Sequence, residues 1–206
     1  MRLSNRAART PTHRRWRTFA FAFLVTLAPM LAWTLATPLS ASPDEPAHAI
    51  RAAAVVRGNI VGEQPGQTWS MTASVPRWVA HSVELPCMAF HSEISAACQP
   101  ALRGDPNETV TTSTTAGVNN PTYYLVTGLP SLVMSGNAGL YAMRGVNAVL
   151  TAGLLAFAFM ALRQLAHNRW ATLALSVSVT PMVLFLGGVL NPNGVEVAAG
   201  ASLLAT

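Results

Sequence analysis

Residues 18–39 read TFAFAFLVTLAPMLAWTLATPL, a run of 22 residues without a charge. As a helix it would be about 33 Å long at 1.5 Å per residue. That is enough to cross a hydrocarbon core of about 30 Å. Pro29 lies in the middle, which a membrane helix tolerates. The preceding segment, MRLSNRAARTPTHRRWR, holds six of the chain's thirteen Arg residues, and there is no Lys. Basic residues beside a span stay on the cytoplasmic side. Residues 1–17 are therefore expected to be an unstructured cytoplasmic tail, and 18–39 the first transmembrane helix. A cleaved signal peptide is the competing reading. The length of the run, the lack of a clean A-x-A site and the later apolar runs favour a retained span.

The whole chain supports that choice. It has 206 residues, 51% hydrophobic and 10% charged, with a net charge of +5. Soluble domains carry about 25% charged residues. The Arg excess sits at the head of a span, so it reads as a topology signal and not as a nucleic-acid footprint. No P-loop, G-x-G-x-x-G, H-E-x-x-H or G-x-S-x-G motif occurs.

Residues 40–144 form a polar loop that holds seven of the eight acids, and the basic tail places it outside the cytoplasm. Within it, the stretch from Trp69 to Cys98 could fold as a small unit, and TVTTSTT, Thr109 to Thr115, is β-prone or flexible. Cys87 and Cys98 lack zinc-type spacing; in an oxidising compartment they can form a disulfide, and otherwise they stay free thiols. Residues 121–140 are apolar but broken by Gly128, Pro130, Gly136 and Gly139, which suggests an interfacial segment with Tyr123 and Tyr124 near the headgroups. A true span there is the alternative, and it would invert everything downstream. The second span covers 145–162, followed by a basic cytoplasmic turn at 163–169. The third covers 170–190 and exits at NPNGVE, Asn191 to Glu196, read as an outer turn. Residues 197–206 begin a fourth span, as in the N-terminal part of a longer protein. The expected fold is an all-α polytopic membrane protein with three full transmembrane helices, the start of a fourth and a large extracytoplasmic first loop.

The loop opens with SPDEPAHAIR, Ser42 to Arg51. Ser42 followed three residues later by Glu45, with Pro43 between, has the form of a capping box on a helix over 42–58. Asp44, His48 and Arg51 fall at i, i+4 and i+7, along one helical face. That face is either an exposed, salt-bridged surface or a polar cluster. A carboxylate there could act as general base, or Asp44 and Glu45 could share a divalent cation. The topology brings Asn191, Asn193 and Glu196 to the same membrane side. An acid at the lipid boundary is a functional candidate by default.

PDEPAH after the first span, NNPTYYLVTGLPSL before the second with Arg144 at its start, and NPNGVE after the third resemble a family of uncharacterised multi-pass bacterial membrane proteins labelled as a domain of unknown function. That family is similar in layout to the GT-C glycosyltransferases, such as the protein mannosyltransferases and arabinofuranosyltransferases. The resemblance implies a polyprenyl-phosphate sugar donor and an envelope glycan acceptor. It implies that Asp44 and Glu45 match the superfamily's acidic pair, acting as base or holding a metal. Pro121, Tyr123 and Tyr124 resemble its P-P-x-Y-Y segment, with Asn120 in place of the first Pro. His48, Arg51, Tyr123, Tyr124, Arg144, Asn191, Asn193 and Glu196 are the expected substrate-binding residues, with Arg51 or Arg144 on the donor phosphate. The alternative is a non-catalytic scaffold, or a transport or assembly component, in the cell membrane.

Overall fold

In the computed structural model, residues 11–61, 70–165 and 169–206 are described. The first ten residues of the expected tail, Trp69 and the centre of the expected turn at 163–169 lie outside them. Among the described residues, two helices are long and apolar enough to cross a membrane: α1 (Pro11–Ala36), over Arg14–Ala36, and α5 (Gly136–Leu165), over Gly136–Arg163. Most of the charge-free run thus lies within α1, but the helix starts at Pro11 and ends at Ala36, so the last part of the expected tail is helical and residues 37–39 of the run lie beyond the helix. Proline is well suited to an opening helical position, where its missing N–H is not needed.

The second span differs more. α5 begins at Gly136 and not near Gly145, and Arg144 lies inside the helix. Gly139 is not a breaker here: a Cβ would come 2.6 Å from the ring of Trp78, so glycine lets that ring pack on the helix. The rest of the expected interfacial segment is α4 (Pro121–Thr127) and a 3₁₀ turn at Leu129–Leu132. Leu125, Leu129, Leu132 and Val133 remain exposed.

The segment expected as the third span is not one straight helix. α6 (Arg169–Ser178) and α7 (Pro181–Gly188) meet at a bend of 60°. Pro181 has no N–H to continue α6 and restricts the residue before it. Thr180 instead caps the new helix, its hydroxyl accepting from Val183 N at 3.4 Å. The NPNGVE segment is also not a turn. Asn191 caps α8 (Pro192–Leu204), accepting from Asn193 N at 3.0 Å, and Pro192 takes the first helical position.

α5 is the central helix, packed against α1, α7 and α8. Ala148, Ala152 and Ala156 on it are fully buried, a small-residue row that lets neighbouring backbones approach. Ser202 of α8 donates to Leu154 O of α5 at 2.7 Å, and Thr34 of α1 donates to Gly188 O at 2.7 Å.

The expectation of an all-α fold is corrected by a two-stranded antiparallel sheet. β1 (Met71–Pro76) pairs with β2 (Thr109–Thr114), Met71 opposite Thr114 and Pro76 opposite Thr109. The threonine-rich strand suits a half-buried pleated surface. α3 (Arg77–Ala80) follows β1, and a disulfide joins Cys87 to Cys98, whose Cα atoms are 6.1 Å apart. Under this sheet runs α2 (Glu45–Val55), eleven residues of which nine are buried, so it is a core helix with no solvated face. Its core partners include Val75, Trp78, Val79 and Tyr124.

Candidate functional site

The capping box expected at Ser42 does not form. Helix α2 starts at Glu45, preceded by Asp44 in the left-handed region at φ 58°, with no side-chain cap. For a residue other than glycine that conformation costs about 1–2 kcal/mol, and Asp and Asn tolerate it best. The backbone kink turns adjacent carboxylates to opposite environments.

Glu45 is 3% exposed. It accepts from Arg144 Nε and Nη2, both at 2.6 Å, and from Leu190 N at 3.1 Å. Arg144, 0% exposed, uses its remaining donors on Thr34 O (2.9 Å), Thr37 O (2.7 Å) and Pro38 O (2.9 Å). Those are carbonyls at and just beyond the C-terminal end of α1, where a helix leaves its last acceptors without internal partners. All five N–H groups of the guanidinium are therefore occupied, and Arg144 has none left for a donor phosphate. One turn on, Asn147 Nδ2 faces Leu186 O (3.0 Å), Gly187 O (3.0 Å) and Val189 O (2.6 Å) at the end of α7, and Asn147 Oδ1 accepts from Tyr123 at 3.0 Å. Asn147 and Thr34 were not singled out by sequence. The signal was there in a polar amide within an apolar span.

Arg51 is likewise turned inward. It donates to Asn59 O (3.2 Å), Ile60 O (2.8 Å) and Asn119 O (3.1 Å), and stands 5.9 Å from the Tyr124 ring centroid. The expected face of acid, imidazole and guanidinium is thus divided: Arg51 tethers loops, while Asp44 and His48 line a cavity.

That cavity, of about 770 Å³, has Asp44, His48, Tyr123, Tyr124, Asn191, Asn193 and Glu196 in its wall. Three Asn- or Asp-marked helix starts deliver them. Asn120, the departure from the P-P-x-Y-Y pattern, caps α4 by accepting from Thr122 N at 2.9 Å and so orients the two tyrosines. Asn191 caps α8 and reaches Pro43 O at 3.4 Å, which sets the start of α8 beside Asp44. A hydrogen-bond chain crosses the floor: Asn119 Nδ2 donates to Tyr124 Oη (2.9 Å), and Tyr124 Oη is hydrogen-bonded to His48 Nδ1 (2.8 Å). Burial pushes the His48 pKa below its usual value, against the opposing pull of Asp44 and Glu45. Burial also raises Tyr124.

A second cavity, of about 750 Å³, is lined by Ser42, Asp44, Phe90, Ser113 and Thr114 among others. Asp44 is the one residue common to the described walls of both. Its carboxylate is exposed, and among the described residues no donor is hydrogen-bonded to it. A cation shared by Asp44 and Glu45 does not fit this arrangement, because both Glu45 oxygens face Arg144. Among the described residues no three His, Cys, Asp or Glu side chains are grouped to hold a metal ion.

The chain belongs to the DUF2142 family, described as predicted membrane proteins. The match runs over residues 15–206, so it takes in both long helices, the sheet and both cavities. No curated protein and no solved structure matches the chain. For this DUF2142 chain, function is therefore argued from the site itself. Seven of the ten expected site residues meet in one cavity, whereas Glu45, Arg51 and Arg144 stand behind it as its supports.

Proposed function

We propose that this membrane protein is an extracytoplasmic glycosyltransferase, or the site-bearing part of one, that moves a sugar from a polyprenyl-phosphate carrier to an envelope glycan. One observation carries the reading: Asp44, whose carboxylate has no hydrogen-bond donor among the described residues, lies in the wall of two cavities at once, the layout a two-substrate transfer needs. Asp44 would accept the proton of an acceptor hydroxyl as its oxygen bonds to the sugar's anomeric carbon. The carbon–oxygen bond to phosphate breaks, and the polyprenyl phosphate leaves with the electron pair. A base held within hydrogen-bond reach contributes about 10²–10⁴-fold. The cavity bordered by Leu150 and Val126 suits a donor whose lipid stays in the bilayer. The one bordered by Ser113, Thr114 and Phe90 suits an acceptor saccharide. The basic tail before α1 supports a cytoplasmic N-terminus in the cell membrane, with both cavities outside. The exposed apolar residues of 125–133 would then rest at the interface.

The test is Asp44→Asn in the full-length protein, assayed for sugar transfer from a polyprenyl-phosphate donor. Asn tolerates the left-handed backbone, so the variant removes the charge without adding strain. Transfer falls by about 100-fold or more, with thermal stability unchanged. Undiminished transfer removes Asp44 from the mechanism and leaves a scaffold or assembly role as the reading.

A further inference from the structure

At the opposite end of the bundle from Asp44, a groove of about 390 Å³ opens between α1, α5, α6 and α7. Its walls are Phe21, Val25, Phe159, Val179 and Leu184, and Arg163 stands in its lining. Arg163 occupies the last turn of α5, where a cation complements the helix dipole, but a dipole does not supply a counter-ion. The four helices that form the groove contain no Asp or Glu at all. The same end carries Arg14, Arg15 and Arg17 on α1 and Arg169 on α6, so the positive charge there has no acidic partner within these helices. Three of the lining hydroxyls are engaged as donors within their own helices: Thr18 to Arg14 O at 3.1 Å, Thr26 to Ala22 O at 2.8 Å and Ser176 to Thr172 O at 2.9 Å. An apolar slot with one unopposed guanidinium in its lining is matched by an amphiphile with an anionic head.

We infer that this groove is a binding site for an anionic phospholipid, its phosphate on Arg163 and one acyl chain along Phe21, Val25 and Leu184. Basic pockets between membrane helices hold anionic headgroups through the same pairing, and Arg suits phosphate through its planar fork. The site is separate from the Asp44 cavities and does not depend on what they do.

The test is native mass spectrometry of the full-length protein in detergent supplied with equal phosphatidylglycerol and phosphatidylcholine. Phosphatidylglycerol is retained in preference, and Arg163→Gln lowers its retention about fivefold, the worth of one Arg near an anionic surface. Arg163→Lys keeps most of it. Val25→Trp, which fills the slot, lowers retention of both lipids, and millimolar inorganic phosphate displaces neither. Melting temperature and gel filtration confirm that each variant is folded. Equal retention of the two lipids, indifference to Arg163→Gln in a folded variant, or full displacement by inorganic phosphate would each overturn the assignment.

Discussion

Asp44 and Glu45 are neighbours in sequence with opposite surroundings. Glu45 lies in a dry knot where one guanidinium meets a carboxylate and three helix-end carbonyls. Asp44, one residue earlier, is exposed in the walls of two cavities, and among the described residues no donor is hydrogen-bonded to its carboxylate. The left-handed backbone at Asp44 separates them. The lesson is that one acidic dipeptide supplies two unlike needs: a fixed charge that holds three chain segments together, and a free charge presented to whatever enters the cavities.

The sharpest way to break that contrast is at the knot. Arg144→Met leaves the Glu45 charge buried without its cation and takes the side-chain donors from the carbonyls of Thr34 and Thr37. Loss of one partner of a buried pair costs about 3–5 kcal/mol. Thermal unfolding in detergent should show that loss. A variant as stable as the parent would mean that the knot is not dry.

A smaller effect is expected at Asn191, whose cap both starts α8 and sets it against Pro43. Asn191→Ala should cost about 1 kcal/mol in denaturation. A change in transfer larger than the change in stability would show that the cap also positions the cavity wall.

The mildest test is pH. The folded state holds His48 below its ordinary pKa of 6.5, so the unfolded chain binds a proton more readily. Stability is full above about pH 6.5 and declines as pH falls through that value towards the lower folded pKa. His48→Gln should flatten this part of the stability–pH curve. An unchanged slope would assign it to another group.

Local chemistry made some of this legible in sequence, and distant partners hid the rest. The charge-free run after the Arg cluster revealed the first long helix because lipid imposes length and composition directly. The threonine tract at 109–115 revealed strand β2 because β-branched residues suit a pleat. The capping box failed because Glu45 has a stronger partner 99 residues away. Gly136 and Gly139 looked like breaks, yet Gly139 answers to Trp78, which approaches from the loop. Pro181 looked tolerable within a span, but Thr180 offered a ready cap and the helix bends there instead. At the site, the residue types that converge could be named, but not which acid would be consumed. That depended on Arg144 lying inside α5, beside the end of α1.

The knot also carries a history. Arg144 comes in the first third of α5, and an isolated charge on a membrane helix is costly until it is paired. Glu45 has already been synthesised by then, and so have the carbonyls at the end of α1. The ribosome therefore delivers the cation to a receptor that is waiting for it. The third ligand of Glu45, the amide of Leu190, arrives last, 145 residues after its acceptor. The Arg144–Glu45 pair can thus close first, and the segment after α7 then docks onto a carboxylate oxygen that accepts one more hydrogen bond.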